Sequence, residues 1–119
     1  MTWDPGTENF LLAMSDTASG SSVAKWTYSA TVTSTTATEE MSAEWVVEAP
    51  ADEFGVLPLA DFGTASFTGC SAEISGATGP INAFTDDAMT MVTERGVVKA
   101  QPPGLTDGGT GFTVKWEHD

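Results

Sequence analysis

The sequence predicts an all-β protein, an antiparallel β-sandwich of seven or eight short strands. Three observations carry that expectation. The strongest runs alternate apolar and polar residues with period two, they are rich in β-branched side chains, and turn formers separate nearly all of them. In chain order, Asp4-Pro5-Gly6 reads as a turn and Asn9 to Ser15 as a strand. Ser19-Gly20-Ser21-Ser22 is a flexible loop before the clearest alternation in the chain, where Trp26, Tyr28, Ala30 and Val32 share one face and Thr27, Ser29, Thr31 and Thr33 the other. Ser42 to Glu48, Ala60 to Thr68, Ser71 to Ser75, Ala88 to Thr93 and Gly96 to Ala100 are weaker strand candidates. Glu94-Arg95-Gly96 is placed to close a tight hairpin, with glycine where a positive φ is wanted. Pro102-Pro103-Gly104 and Asp107-Gly108-Gly109 mark the last connection, and Phe112, Val114 and Trp116 against Thr113 and Lys115 give a final alternating strand. The sole helical candidate is a turn near Phe84-Thr85-Asp86-Asp87. Short strands with turns between them favour a sandwich over a βαβ architecture.

Length and composition bound the rest. The 119 residues amount to one domain, 1–119, and an apolar fraction of 40% suffices for one packed core. No internal repeat or linker interrupts it. Seventeen acidic residues against four basic ones leave a formal net charge of -13, which repels phosphate backbones and anionic lipid surfaces. No nucleic-acid partner and no membrane partner are therefore expected, and no apolar stretch approaches the roughly 20 residues of a spanning helix. The charge promotes solubility through self-repulsion and also suits acid or high salt. Either setting fits an extracellular protein, although Met1-Thr2-Trp3-Asp4-Pro5-Gly6 lacks the basic start and apolar run of a signal peptide.

Few residues carry chemistry. Cys70 is alone, so an intrachain disulfide, a CxxC pair and a thiolate metal cluster are excluded; it is expected to be buried and inert. His118 is also alone and is expected to fray with the terminus. Glycine-rich phosphate loops, the GxSxG elbow and the DxDxDG calcium spacing are all missing, so neither a cofactor nor a metal is indicated. Among the acidic pairs, Glu39-Glu40, Asp52-Glu53 and Asp86-Asp87 read as solvated surface groups. Glu44 differs, because it stands inside Ala43-Glu44-Trp45-Val46-Val47-Glu48-Ala49-Pro50, an otherwise apolar strand. Read with period two, Glu44, Val46 and Glu48 share one face and Trp45 and Val47 pack on the other. Four residues of strand separate Glu44 from Glu48 by roughly 13 Å, too far for a close acid/base dyad.

Ala43-Glu44-Trp45-Val46-Val47-Glu48, together with Leu57-Pro58-Leu59-Ala60-Asp61-Phe62-Gly63-Thr64 and Phe67-Thr68, resembles the eqolisins, the glutamic peptidases. The resemblance extends from the Asp4-Pro5-Gly6 turn through Val98-Lys99-Ala100-Gln101-Pro102 to Phe112-Thr113-Val114-Lys115-Trp116-Glu117-His118, where bacterial members look similar. It implies a concanavalin-like sandwich of two bent antiparallel sheets, an extracellular setting, an acid-acting endopeptidase with a polypeptide substrate, and a catalytic dyad of one Glu and one Gln. Glu44 matches the dyad's Glu, the general base on the attacking water and then the acid toward the leaving amine. The implied pKa tuning would come from partial burial beside apolar groups.

The dyad's Gln lies well upstream of the Glu in that family, and no Gln precedes Glu44 here. Gln101, the sole glutamine, matches a non-catalytic stretch and is expected to be a loop amide. The chain thus resembles the C-terminal half to two-thirds of an eqolisin-like domain, inactive as an isolated monomer without a Gln-bearing segment. Two functions follow: a glutamic endopeptidase completed from outside the chain, or a non-catalytic sandwich, relict or binder, whose Trp3, Trp26, Trp45 or Trp116 stacks on sugar or peptide. Losing N-terminal strands exposes sheet edges, so a homo-oligomer formed through an edge is also expected.

Overall fold

The structure, a computed structural model, describes residues 1–16, 25–36 and 41–118. The expected loop at 19–22 and the Glu39-Glu40 pair lie outside the described residues. The fold is all-β with antiparallel sheets, sandwich-like and without a closed barrel, and the described residues include no α-helix. Two compact units divide the chain, Met1–Glu39 and Glu40–Asp119.

The first unit is a three-stranded meander of β1 (Thr2–Asp4), β2 (Asn9–Ser15) and β3 (Thr27–Thr33). The β1–β2 turn is held by Asp4, whose carboxylate accepts the Gly6 N–H at 2.9 Å and the Thr7 hydroxyl at 2.8 Å. In the β2–β3 ladder, Phe10 faces Val32, Leu12 faces Ala30 and Met14 faces Tyr28. Residues paired across a ladder point to the same side, so these six form one apolar face, and Trp3 joins it opposite Phe10 with ring centroids 4.6 Å apart. Serine and threonine occupy much of the reverse face. None of the described residues in this unit is buried.

The second unit opens with the segment 41–50, which pairs with no described strand. Two short hairpins follow. β4 (Ala51–Asp52) pairs with β5 (Gly55–Val56), and further on β7 (Ala72–Ile74) pairs with β8 (Ala77–Gly79), following β6 (Thr64–Phe67). The β7–β8 loop is Ser75-Gly76 with φ of 51° and 79°, the paired left-handed conformation of a type I′ turn. β9 (Met91–Val92), β10 (Val98–Gln101), β11 (Leu105–Thr106) and β12 (Gly111–Trp116) complete the chain. β6 and β9 to β12 form a five-stranded sheet in which β12 touches β6, β10 and β11. As expected, Gly96 adopts a positive φ of 81° in the β9–β10 hairpin, where the Thr93 N–H donates to the Val97 carbonyl at 2.8 Å.

Register makes this sheet two-faced. Phe112 pairs with Phe67 and Leu105, Val114 with Ala65, and Trp116 with Ala100, which itself faces Met91. Thr113, Lys115, Ser66, Thr64 and Gln101 take the other side. Ala49, Leu59, Cys70, Ala100, Phe112 and Val114 are buried, and Trp45, Val47, Phe62, Phe67, Ile81, Met91 and Trp116 pack against them. Phe67 and Phe112 stack with centroids 4.6 Å apart.

Twelve strands among the described residues exceed the seven or eight expected. The additions are two- and three-residue ladders, too short to establish an alternation. The expected strand at 42–48 forms no ladder. Its period-two pattern reflects alternate burial, and pairing needs a neighbouring strand as well. The expected strand from Ala60 shrinks to Thr64–Phe67 because Asp61 Oδ1 accepts the Gly63 N–H at 2.9 Å and Gly63 turns to a φ of 63°. The helical expectation at 84–87 resolves as one turn of 3₁₀ helix just upstream, Ile81–Ala83.

Candidate functional site

Over residues 44–49 burial alternates: Trp45 and Val47 are half-buried and Ala49 buried, whereas Glu44, Val46 and Glu48 are exposed. The inward residues join the hydrophobic core, so the core side is anchored and the Glu44 side is left accessible. This matches the division of faces that period two predicts. The partial burial implied for Glu44 is not seen, and its carboxylate is exposed. The reason is parity: Trp45 occupies the inward position, so its neighbour must point out.

Beside Glu44 lies a cavity of about 430 Å³, within the size range of ligand-binding clefts. Its floor is the apolar face of the five-stranded sheet, with Ala100, Phe112 and Val114. Trp45, Val47, Ile74, Ile81 and Phe84 wall it, and the segment 84–89 closes one side. Among the described residues, charge enters the lining as Glu44, Asp86 and Asp87, with no Lys, Arg, His, Asn or Gln. The sequence reading set Asp86-Asp87 aside as a surface pair. Both are exposed, and both border the cavity. The signal available was their place between Phe84 and the apolar run leading to Met91.

The remaining candidates lie elsewhere. Gln101 belongs to β10 and pairs with Lys115 on the polar side of the sheet, while its neighbours Ala100 and Pro102 line the cavity. It is a strand residue, not the loop amide expected, because β10 continues through it. Its register directs it away from Glu44's cavity. Cys70 is buried and free, as expected, and its N–H donates to the Thr110 carbonyl at 2.7 Å. His118 is half-buried rather than frayed. The N–H groups of Glu117 and His118 reach the Lys99 carbonyl at 2.8 and 3.4 Å and hold the end of the chain to β10. Among the described residues, no three His, Cys, Asp or Glu side chains are grouped as metal ligands. Among the described residues no helix is long and apolar enough to cross a membrane. The Asp4 carboxyl, in the other unit, is held below its ordinary value by the Thr7 hydroxyl and then by the Gly6 N–H.

The antiparallel sheets and the mostly apolar cavity define an all-β, sandwich-like protein with a cleft of ligand-binding size. The model of the peptidase A4 family matches residues 13–116, and the chain belongs to that family, the glutamic peptidases or eqolisins. No curated protein and no solved structure matches the chain.

Proposed function

We propose that the cavity is the substrate cleft of an acid-acting glutamic endopeptidase and that Glu44 is its general base. The observation that carries this reading is that Glu44, an exposed residue, is among those lining a ligand-sized cavity, in a chain of the peptidase A4 family. The Glu44 carboxylate takes a proton from water as the water oxygen bonds to the scissile carbonyl carbon. The tetrahedral intermediate then collapses with cleavage of the C–N bond, and Glu44 returns the proton to the leaving amine. Stabilising the developing oxyanion needs a hydrogen-bond donor such as a carboxamide. Gln101 faces away, so in this proposal a Gln-bearing segment added in trans supplies the carboxamide.

Cleavage of an unfolded protein at acid pH tests the reading, and Glu44→Gln is expected to abolish it. Activity that survives the substitution removes Glu44 from the mechanism. A second reading, a non-catalytic sandwich that binds peptide or carbohydrate, is favoured by the lack of any carboxamide in the lining. It predicts ligand binding with no turnover even when a Gln-bearing eqolisin segment is added.

An extracellular setting and self-association belong to the same proposal. Residues 41–50 form no ladder among the described residues, and an unpaired edge favours pairing with a second copy. The first predicts accumulation in the medium of the native host. The second predicts a light-scattering mass that grows from micromolar to millimolar concentration, and a constant monomer mass contradicts it.

A further inference from the structure

From the cavity's charge and lining we infer that it selects polypeptide segments placing an apolar side chain next to a lysine or arginine, with Asp86 and Asp87 as the specificity-determining residues. The inference deepens the reading of this cavity as a peptide cleft and rests on it. Inside, Trp45, Ile74, Ile81 and Phe112 offer an apolar surface for an anchoring side chain, and the 430 Å³ volume accommodates one large residue and its neighbours. Around that surface stand Glu44, Asp86 and Asp87 with no cationic residue in the lining. A cationic ligand would therefore meet no competing cation among the described lining residues.

None of the chain's four cations, Lys25, Arg95, Lys99 and Lys115, is among the described lining residues. Lys115 lies on the opposite side of the sheet, with its ammonium 3.1 Å from the Glu117 carboxylate. Arg95 sits in the β9–β10 turn and does not line the cavity. The formal net charge of -13 adds a long-range field that draws cationic segments toward the protein and repels acidic ones. Asp86 and Asp87 are adjacent in sequence in a segment without regular structure. With Glu44 committed to the reacting water in the proposed mechanism, these two carboxylates are left to recognise charge. A lysine or arginine next to the anchor reaches them while its aliphatic stem stays against the apolar rim.

Fluorescence anisotropy with three labelled peptides at pH 7 and low salt tests this. The peptides are identical except for Lys, Gln or Glu beside a single leucine. Affinity is expected to fall in the order Lys, Gln, Glu, with Lys roughly fivefold tighter than Gln, the upper end of what one exposed ion pair delivers. In the Asp86→Asn/Asp87→Asn variant the three peptides should bind within about twofold of one another. Molar salt should reduce the preference in the unaltered protein in the same way, which provides a test independent of how the variant folds. Equal affinities in the unaltered protein, an order that survives the double substitution, or no binding at all would overturn the inference. Selective binding by a protein that cleaves nothing in acid keeps the cationic preference and removes the peptidase reading. Acid cleavage by a protein that binds the three peptides equally at pH 7 does the reverse.

Discussion

In the unit 40–119, Phe112 and Val114 alternate with Thr113 and Lys115 and are each 9% exposed. In the unit 1–39, Tyr28 and Val32 alternate with Ser29 and Thr31 just as regularly, yet remain 59% and 49% exposed. Both strands lie in the middle or on the flank of a properly registered antiparallel ladder. What differs is the second layer. Trp45, Val47 and Ile81 pack against the core cluster that contains Phe112 and Val114 of β12, while in the meander three strands line up their apolar side chains and none of the described residues is buried. Alternation thus specifies which side of a strand is apolar. Burial depends on whether another element packs over that side, and among the described residues buried side chains occur in the unit 40–119 alone.

That comparison can be broken at several points. The largest effect is expected at Phe112→Ala, which removes a stacked, buried ring from the centre of the sheet. It should cost about 3 to 5 kcal/mol in urea unfolding followed by tryptophan fluorescence, and a loss below about 1 kcal/mol would show that β12 is not the core strand.

Gly109→Ala comes next. Gly109 is buried with a φ of 94° in the turn that delivers β12, and a Cβ there would overlap the Asn82 carboxamide. A cost of about 1 to 3 kcal/mol is expected by the same measurement, and an unchanged midpoint would contradict the packing of that turn. In the other unit Met14→Ala removes a side chain that is 60% exposed. It should stay within about 0.5 kcal/mol, so a core-sized loss would mean that something covers the meander in solution.

The smallest effect concerns pH at Asp4. Its folded-state carboxyl lies below the ordinary 3.8 because Thr7 and Gly6 donate to the charged form. A lowered folded value contributes stability that is present above the unfolded value and is lost as pH falls through the folded one. The β1–β2 turn should therefore loosen only below about pH 3.8. A side-chain carboxyl titration by NMR should place Asp4 below that value, whereas a midpoint at or above it would contradict the turn's hydrogen bonds.

Much of the fold was legible because local chemistry sets it. The alternation of Asn9 to Ser15 yields β2 with the expected limits, Gly96 provides the φ its hairpin needs, and the Phe112-Val114-Trp116 face is the buried one. The Ser75-Gly76 turn was equally readable, since a small polar residue before glycine suits a two-residue hairpin, but only its first flanking strand, expected at Ser71 to Ser75, has an alternation to read, and β8 is too short to show one. Strand pairing was less accessible. Residues 42–48 have the side-chain pattern of a strand, and no pattern within a segment reports whether a neighbour exists.

The candidate site divides in the same way. Glu44's outward face followed from parity with Trp45, whereas the approach of Asp86 and Asp87 to the same cavity depends on the tertiary path from β8 to β9. Gln101 shows the value of register: its sequence position left its role to resemblance, and its pairing with Lys115 puts it on the side of the sheet away from the cavity.

The most direct measurement is hydrolysis of an acid-unfolded protein by this chain, alone and mixed with a Gln-bearing N-terminal eqolisin segment, with Glu44→Gln in parallel. The account predicts cleavage at acid pH when the segment is present, and its loss in Glu44→Gln by at least about a hundredfold, the lower end of what one positioned acid/base group contributes. Undiminished cleavage by Glu44→Gln, or no cleavage by the completed pair, would contradict it.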